Sequence, residues 1–175
     1  TQIGLLSTIP GLVGISLEPL LGLIGDTRHR RALVLGGILA TVLGLFLTSI
    51  GTTFAIILIA FCILYVSSGA YVNLAQATLI DLNPSRAEHT MARWTLLGSV
   101  GVAISPLIVT ALFLIGSDWR EMYLALAVAA LVYAAFLARA RFDAHAGAED
   151  GSVAPRELLK NLWGGLRNRE LLRWV

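Results

Sequence analysis

The chain has 175 residues, of which 57% are hydrophobic and only 14% are charged, and its mean hydropathy is +0.78. Soluble domains carry about 45–50% apolar and about 25% charged residues, so this composition excludes a disordered chain and an ordinary water-soluble enzyme. The net charge is only +2, and a single cysteine, Cys62, excludes an internal disulfide and a cysteine-based metal cluster.

Long uncharged stretches predict an all-α, polytopic membrane bundle of five transmembrane helices. Residues 32–80 contain no charged residue, and one helix of that length would be more than twice as long as the hydrocarbon core is thick. This stretch must therefore fold back once, near Gly51. The predicted bundle spans residues 1–140, with helices at about 1–25, 32–50, 53–80, 91–116 and 120–140. Residues 141–175 are predicted to form a cytoplasmic linker, an amphipathic helix and the start of a further helix.

The connections between the predicted helices are short, which predicts that consecutive helices pack as antiparallel neighbours. If the helices alternate in direction, 12 of the 13 Lys and Arg residues lie on one side of the membrane and only Arg120 lies on the other. The positive-inside rule makes the first side cytoplasmic. The sequence thus predicts an integral protein of the bacterial inner membrane, with the lipid bilayer as its surroundings.

Glu18 is the only carboxylate that the predicted helices place at mid-membrane depth. It lies eight residues before Asp26, about 12 Å along a helix. A charge at this depth costs about 2.5 kcal/mol or more, so such residues usually face a cavity or a partner. Two interpretations stay open. Glu18 binds and releases protons as part of the function, or it is a protonated side chain bonded to a carbonyl that Pro19 leaves free.

The end of the predicted first helix and the turn after it, residues 22–31, have the sequence GLIGDTRHRR. Asp26 lies at the C-terminal end of that helix, where the macrodipole disfavours an anion, so it requires a positive partner. The spacing of Gly22, Asp26, Arg30 and Arg31 resembles the loop between helices two and three of the major facilitator superfamily. The resemblance implies that these four residues form a conformational latch, which holds the two halves of a twelve-helix transporter in one access state.

Two further segments are similar to the same family. Residues 118–120 resemble its usual entry to helix six, and residues 97–107 are similar to helix five of its exporters. Residues 18–19 together with 92–94 resemble fosmidomycin-resistance-type exporters. On this resemblance the chain is an N-terminal-half fragment, with helices two to six and the central cytoplasmic loop. The missing C-terminal half of the same transporter is then its partner.

The predicted third helix carries a polar stripe, in which Tyr65, Gly69, Asn73 and Gln76 follow one another at spacings of four, four and three residues. Tyr65, Asn73 and Gln76 are candidates to line a cavity for a small-molecule substrate. Asn73 and Gln76 could equally bond a neighbouring helix.

Asp81 ends the third helix at the cytoplasmic face, and Arg93 lies at the start of the fourth. The two are candidate charge partners, of each other or of the loop at residues 26–31. On the second helix, small residues recur every four positions, which predicts helix packing on that face. These residues are Gly36, Ala40, Gly44 and Thr48.

No catalytic arrangement is recognisable in the sequence. His29, His89 and His145 lack other ligands at metal spacing, no phosphate-binding loop or nucleophile elbow occurs, and no cofactor or nucleic acid is indicated. The sequence predicts a secondary transporter of a small solute rather than an enzyme. Its specific hypothesis is proton-coupled drug export. The alternatives are sugar or metabolite uptake and a membrane scaffold that transports nothing.

Overall fold

The computed structural model describes residues 2–25 and 30–139, and these residues form five long helices with no strand among them. All five are long and apolar enough to cross a membrane, so the predicted all-α membrane helix bundle is confirmed. The helices are α1 (Gln2–Gly25), α2 (Arg30–Ile50), α3 (Phe54–Leu82), α4 (Ala87–Leu114) and α5 (Trp119–Arg139). Asp26 and the segment 141–175 lie outside the described residues.

Local signals set the helix ends. Thr53 caps α3, and its side chain accepts a hydrogen bond from the Ile56 amide. Pro84 opens a short 3₁₀ turn, Pro84–Arg86, so α4 begins at residue 87 rather than near 91. Gly116 has a φ of +84°, the left-handed conformation that commonly ends a helix, and α4 stops two residues before it.

The helices pack in the order α1–α3–α2–α5, which differs from their order in the chain. The prediction that consecutive helices are neighbours holds for α2 and α3 but is wrong for α1 and α2 and for α4 and α5, which barely touch. A crevice of about 470 Å³ with almost entirely apolar walls separates α1 from α2, and α3 forms its floor. Helix α4 contacts mainly α3, and none of its residues, all of which the structure describes, is buried. Short turns constrain helix ends, and the packing order depends instead on which faces fit closely.

The contact between α2 and α3 depends on glycines that let the two backbones approach. A Cβ atom at Gly37 would lie 3.2 Å from the Ser67 carbonyl oxygen, and one at Gly44 would lie 3.1 Å from the Ala60 carbonyl oxygen. Between them, the Thr41 and Ser67 hydroxyls form a hydrogen bond of 2.9 Å across the interface. Such small and hydroxylated residues are typical of helix interfaces in lipid.

The prediction of which small residues of α2 pack against another helix was therefore wrong in part. Gly44 and Thr48 are buried as predicted, but Gly36 is exposed and its neighbour Gly37 is buried against α3. The face that packs on α3 includes Gly37 and Gly44, which are seven residues apart. A run of four-residue steps drifts around the helix, because each turn takes 3.6 residues.

Helices α2 and α5 are joined by an arginine at each end. Arg31, in the first turn of α2, donates a hydrogen bond of 3.0 Å to the Ala138 carbonyl near the end of α5. Arg120, in the first turn of α5, donates one of 3.3 Å to the Ser49 carbonyl near the end of α2. Each arginine thus lies at the negative end of the partner helix, where a cation is favourable.

Adjacent glycines on α2 give a matched test of this packing. We expect Gly37→Ala to lower the free energy of unfolding by about 1–3 kcal/mol, because the added methyl group meets backbone atoms of α3. Gly36→Ala, whose Cβ would have no atom within 4 Å, should have no such effect. Thermal unfolding of the purified protein in detergent measures both. Equal midpoints for the two variants would contradict the packing described.

Candidate functional site

Helices α1 and α3 meet along a line that we call the α1–α3 seam, defined by three contacts at successive depths. A Cβ atom at Gly14 would contact the Tyr65 side chain at 3.7 Å, one at Gly69 would meet Glu18, and one at Gly25 would overlap Leu74. The helices therefore approach closely at a glycine of each contact. Gly14 and Gly25, near the two ends of the seam, belong to α1, and Gly69, in the middle, belongs to α3. Of the three contacts, only the middle one involves a carboxyl group.

The Glu18 side chain lies directly over Gly69. A Cβ atom on Gly69 would be 2.8 Å from Glu18 Oε1, 3.3 Å from Cγ and 3.4 Å from Cδ. The Glu18 side chain is exposed in the bundle, and its carboxyl has no hydrogen-bond partner among the described residues. A hydrogen bond from Glu18 to the carbonyl that Pro19 frees is accordingly not part of the described structure.

Glu18 is not among the residues that line the apolar crevice between α1 and α2, but it lies beside them. Val13 and Leu21 of α1 line that crevice, and around the helix axis Glu18 lies about 140° from Val13 and about 60° from Leu21. Tyr65 and Asn73 of the polar stripe are also exposed, and they flank Gly69 by one turn on each side. Glu18 and Tyr65 therefore each make a contact on the α1–α3 seam, and Asn73 lies on α3 one turn beyond the Glu18 contact.

Gln76, the last residue of the polar stripe, has a different environment. Its side-chain amide donates a hydrogen bond of 3.0 Å to the Met91 sulfur on α4. Gln76 also lines an open cleft between α3 and α4 with Trp94, Thr95 and Ser99. Gln76 thus connects α3 and α4, and its contact with Met91 is of the kind expected for a bond to a neighbouring helix.

Arg30 joins three helices at the predicted cytoplasmic end of the bundle. Its guanidinium forms a salt bridge with Asp81 of α3. Its Nε donates a hydrogen bond of 2.8 Å to the carbonyl of Gly25, which is the last residue of α1. Arg30 is largely buried, and Asp81 is about half exposed. Of the two partners considered for Asp81, the structure shows the one from the turn at residues 22–31. Arg93 is exposed on α4.

The glycines before the turn differ in their surroundings. Gly25 is buried against Leu74, whereas a Cβ atom at Gly22 would have nothing within 4 Å. Close helix approach therefore occurs at Gly25, and Gly22 has open space beside it. Among the described residues, no group of three or more His, Cys, Asp or Glu side chains is placed to hold a metal ion.

Sequence reasoning missed two features of the site. It placed Gly69 in the polar stripe but did not identify it as the neighbour of Glu18, since nothing in the local sequence of α3 encodes the register of another helix. It also considered Arg120 only as the one basic residue on the opposite side of the membrane from the other twelve. The position of Arg120 in the first turn of a predicted helix was the available signal for its role in capping the partner helix.

Comparison with known proteins gives one match. The sequence model of the Major Facilitator Superfamily matches residues 1–175. No curated protein and no solved structure matches the chain. The match includes the turn at residues 22–31 and the segment 118–120, which carried the resemblance in the sequence.

The salt bridge between Arg30 and Asp81 can be tested by exchanging the charges. We expect Arg30→Asp and Asp81→Arg each to lower the melting temperature by a few degrees, since like charges then face each other. The double variant should recover part of the loss, but not all of it, because the Arg30 bond to the Gly25 carbonyl is still absent.

Arg93→Asp is the matched control for this exchange, because Arg93 is the other candidate partner of Asp81 and is exposed. It should leave the melting temperature unchanged. A double variant no more stable than either single reversal would contradict the pairing.

Proposed function

The chain belongs to the Major Facilitator Superfamily, a family of secondary transporters, and we propose that it is part of a transporter that moves a small solute by alternating access. The observation that carries this proposal is the position of Glu18, a carboxylate within a spanning helix, about two turns before the helix ends, on an exposed flank of the α1–α3 seam. Ionisable residues at such positions usually serve a solute or proton pathway.

The proposed transporter includes a C-terminal half that is not part of this sequence. The uncovered face of α4 supports this, because a spanning helix without buried residues has room for further helices beside it. In alternating access, two halves move relative to each other around a site near the bilayer midplane. Glu18 and Tyr65 make contacts on the α1–α3 seam, Asn73 lies one turn beyond the Glu18 contact on α3, and we propose that all three face this central site.

We propose proton coupling through Glu18. A carboxyl in an apolar environment exists as the neutral acid or with a compensating charge, so it can exchange a proton for a cation or respond to a proton gradient. The described part of the chain offers no other carboxylate at this depth, since Asp81 and Glu88 lie near one end of the bundle and Asp118 and Glu121 near the other. Drug export by proton exchange is the specific form of this proposal.

Gly22, Asp26, Arg30 and Arg31 are proposed as the conformational latch. The contacts of the two arginines support this role. Arg30 bonds the ends of α1 and α3, and Arg31 bonds the end of α5. A change at this turn would therefore reach three helix ends directly. Asp26 itself lies outside the described residues.

Two finer assignments complete the proposal. We propose the bacterial inner membrane as the location, on the distribution of Lys and Arg along the chain. A relation to fosmidomycin-resistance-type exporters rests on residues 18–19 and 92–94 alone, and the family match does not extend to it.

Substitution of Glu18 by glutamine tests the proposed coupling. Glu18→Gln keeps the shape of the side chain but cannot ionise, so it should abolish uphill, proton-driven transport by the full-length protein in vesicles. Exchange of substrate across the membrane should continue. A loss of tenfold or more corresponds to at least about 1.4 kcal/mol.

Glu88→Gln is the matched control, since Glu88 is exposed in the first turn of α4 and undergoes the same chemical change. It should transport at the wild-type rate. If Glu18→Gln retained more than about half of that rate, the proton role of Glu18 would be refuted.

A further inference from the structure

We propose that Gly69 is a positioning residue for Glu18. Its missing side chain leaves a space on α3, the Gly69 notch, and the Glu18 side chain occupies that space between the turns that carry Tyr65 and Asn73. This inference rests on the proposed function of Glu18 and adds the residue that determines where its carboxyl group lies.

The Gly69 contact differs in kind from the other close glycine contacts of the bundle. At Gly37 and Gly44 a Cβ atom would meet backbone carbonyls of α3, and at Gly25 it would overlap the buried Leu74 side chain. Those glycines determine how closely two helices pack. At Gly69 all three nearest atoms belong to the end of one flexible, exposed side chain. An added methyl group at this position therefore displaces the carboxyl group and leaves the helices where they are.

The notch also determines the polar surroundings of the carboxyl group. The backbone amide and carbonyl of Gly69 lie inside α3, where they form the hydrogen bonds of the helix, and glycine has no side chain. Gly69 therefore makes room for the Glu18 carboxyl group without donating a side-chain hydrogen bond to it. On the same face of α3, the nearest polar side chains are Tyr65, one turn before Gly69, and Asn73, one turn after it, while the Ser67 and Ser68 hydroxyls bond carbonyls of α3 itself. Displacing the carboxyl from the notch changes its distance to Tyr65 and Asn73, and with it the relative stability of the charged and neutral forms.

The test is a double-mutant cycle between positions 18 and 69 in the full-length protein. The readout is the infrared band of the protonated Glu18 carboxyl as a function of pH, identified by its loss in Glu18→Gln. We expect Gly69→Ala to move the midpoint of this titration by about 0.5 pH unit or more, a threefold or larger change in proton affinity. Proton-driven transport should show the same displacement in its pH profile.

Glu18→Asp supplies the second side of the cycle. It shortens the side chain by one methylene and so withdraws the carboxyl from the position that a Cβ atom at residue 69 would need. In the Glu18→Asp background, Gly69→Ala should therefore leave the midpoint unchanged, which is the coupling expected of two groups in direct contact. Gly11→Ala, an interior glycine of α1 with no atom within 4 Å of its would-be Cβ, should change neither midpoint.

The outcomes separate this inference from the proposed function. An unchanged midpoint in Gly69→Ala, or an equal displacement in both backgrounds, overturns the positioning role while Glu18 can still carry protons. Normal proton-driven transport by Glu18→Gln overturns the proposed function, although the titration still measures the contact. The lack of any Glu18 band while the protein stays folded overturns both. If Gly69→Ala does not fold, recovery of folded protein by adding Glu18→Asp supports the contact, and failure of that rescue refutes it.

Discussion

The close approach of α3 to its neighbours is the constraint on which the rest of this bundle depends. Lipid chains are as apolar as leucine, so helices in a membrane associate through contact between closely fitted surfaces rather than through the hydrophobic effect. Glycine provides that fit at Gly37 and Gly44 on α2 and at Gly14 and Gly25 on α1. Helix α3 is therefore held from two sides, and the crevice between α1 and α2 follows because each packs on α3 rather than on the other.

The arginines near the helix ends complete this arrangement. Arg31 and Arg120 join α2 to α5 at opposite ends, and each bonds a carbonyl in the last turn of the partner helix. These carbonyls have no partner within their own helix, so the bonds satisfy groups that lipid cannot. The unit of α3, α2 and α5 is thus fixed both along its length and at its ends. Helices α1 and α4 lie outside this unit, and the polar stripe faces the side on which they pack.

The sequence predicted the number of helices and their approximate ends, because uncharged length is a direct requirement of the hydrocarbon core. It did not predict the packing order, since a short turn brings two helix ends together without deciding which faces meet. The same limit explains the error at Gly36 and the missed neighbour of Glu18. Both depend on the register between helices, which no spacing within one helix contains. Charge and position predicted that the partner of Asp81 is either Arg93 or the loop at residues 26–31, and only the fold identifies Arg30 of that loop as the partner.

Helix α1 connects the two proposed sites physically. Glu18 and Gly25 lie seven residues apart, about two turns, so both project toward the same α1–α3 seam. At Gly25 the seam has no spare room, because Leu74 fills it, and Arg30 bonds the Gly25 carbonyl. At Glu18 the contact involves a flexible side chain that can move. A displacement of α1 against α3 is therefore easier beside Glu18 than at the end of α1 that Arg30 bonds, where the salt bridge of Arg30 with Asp81 also resists it.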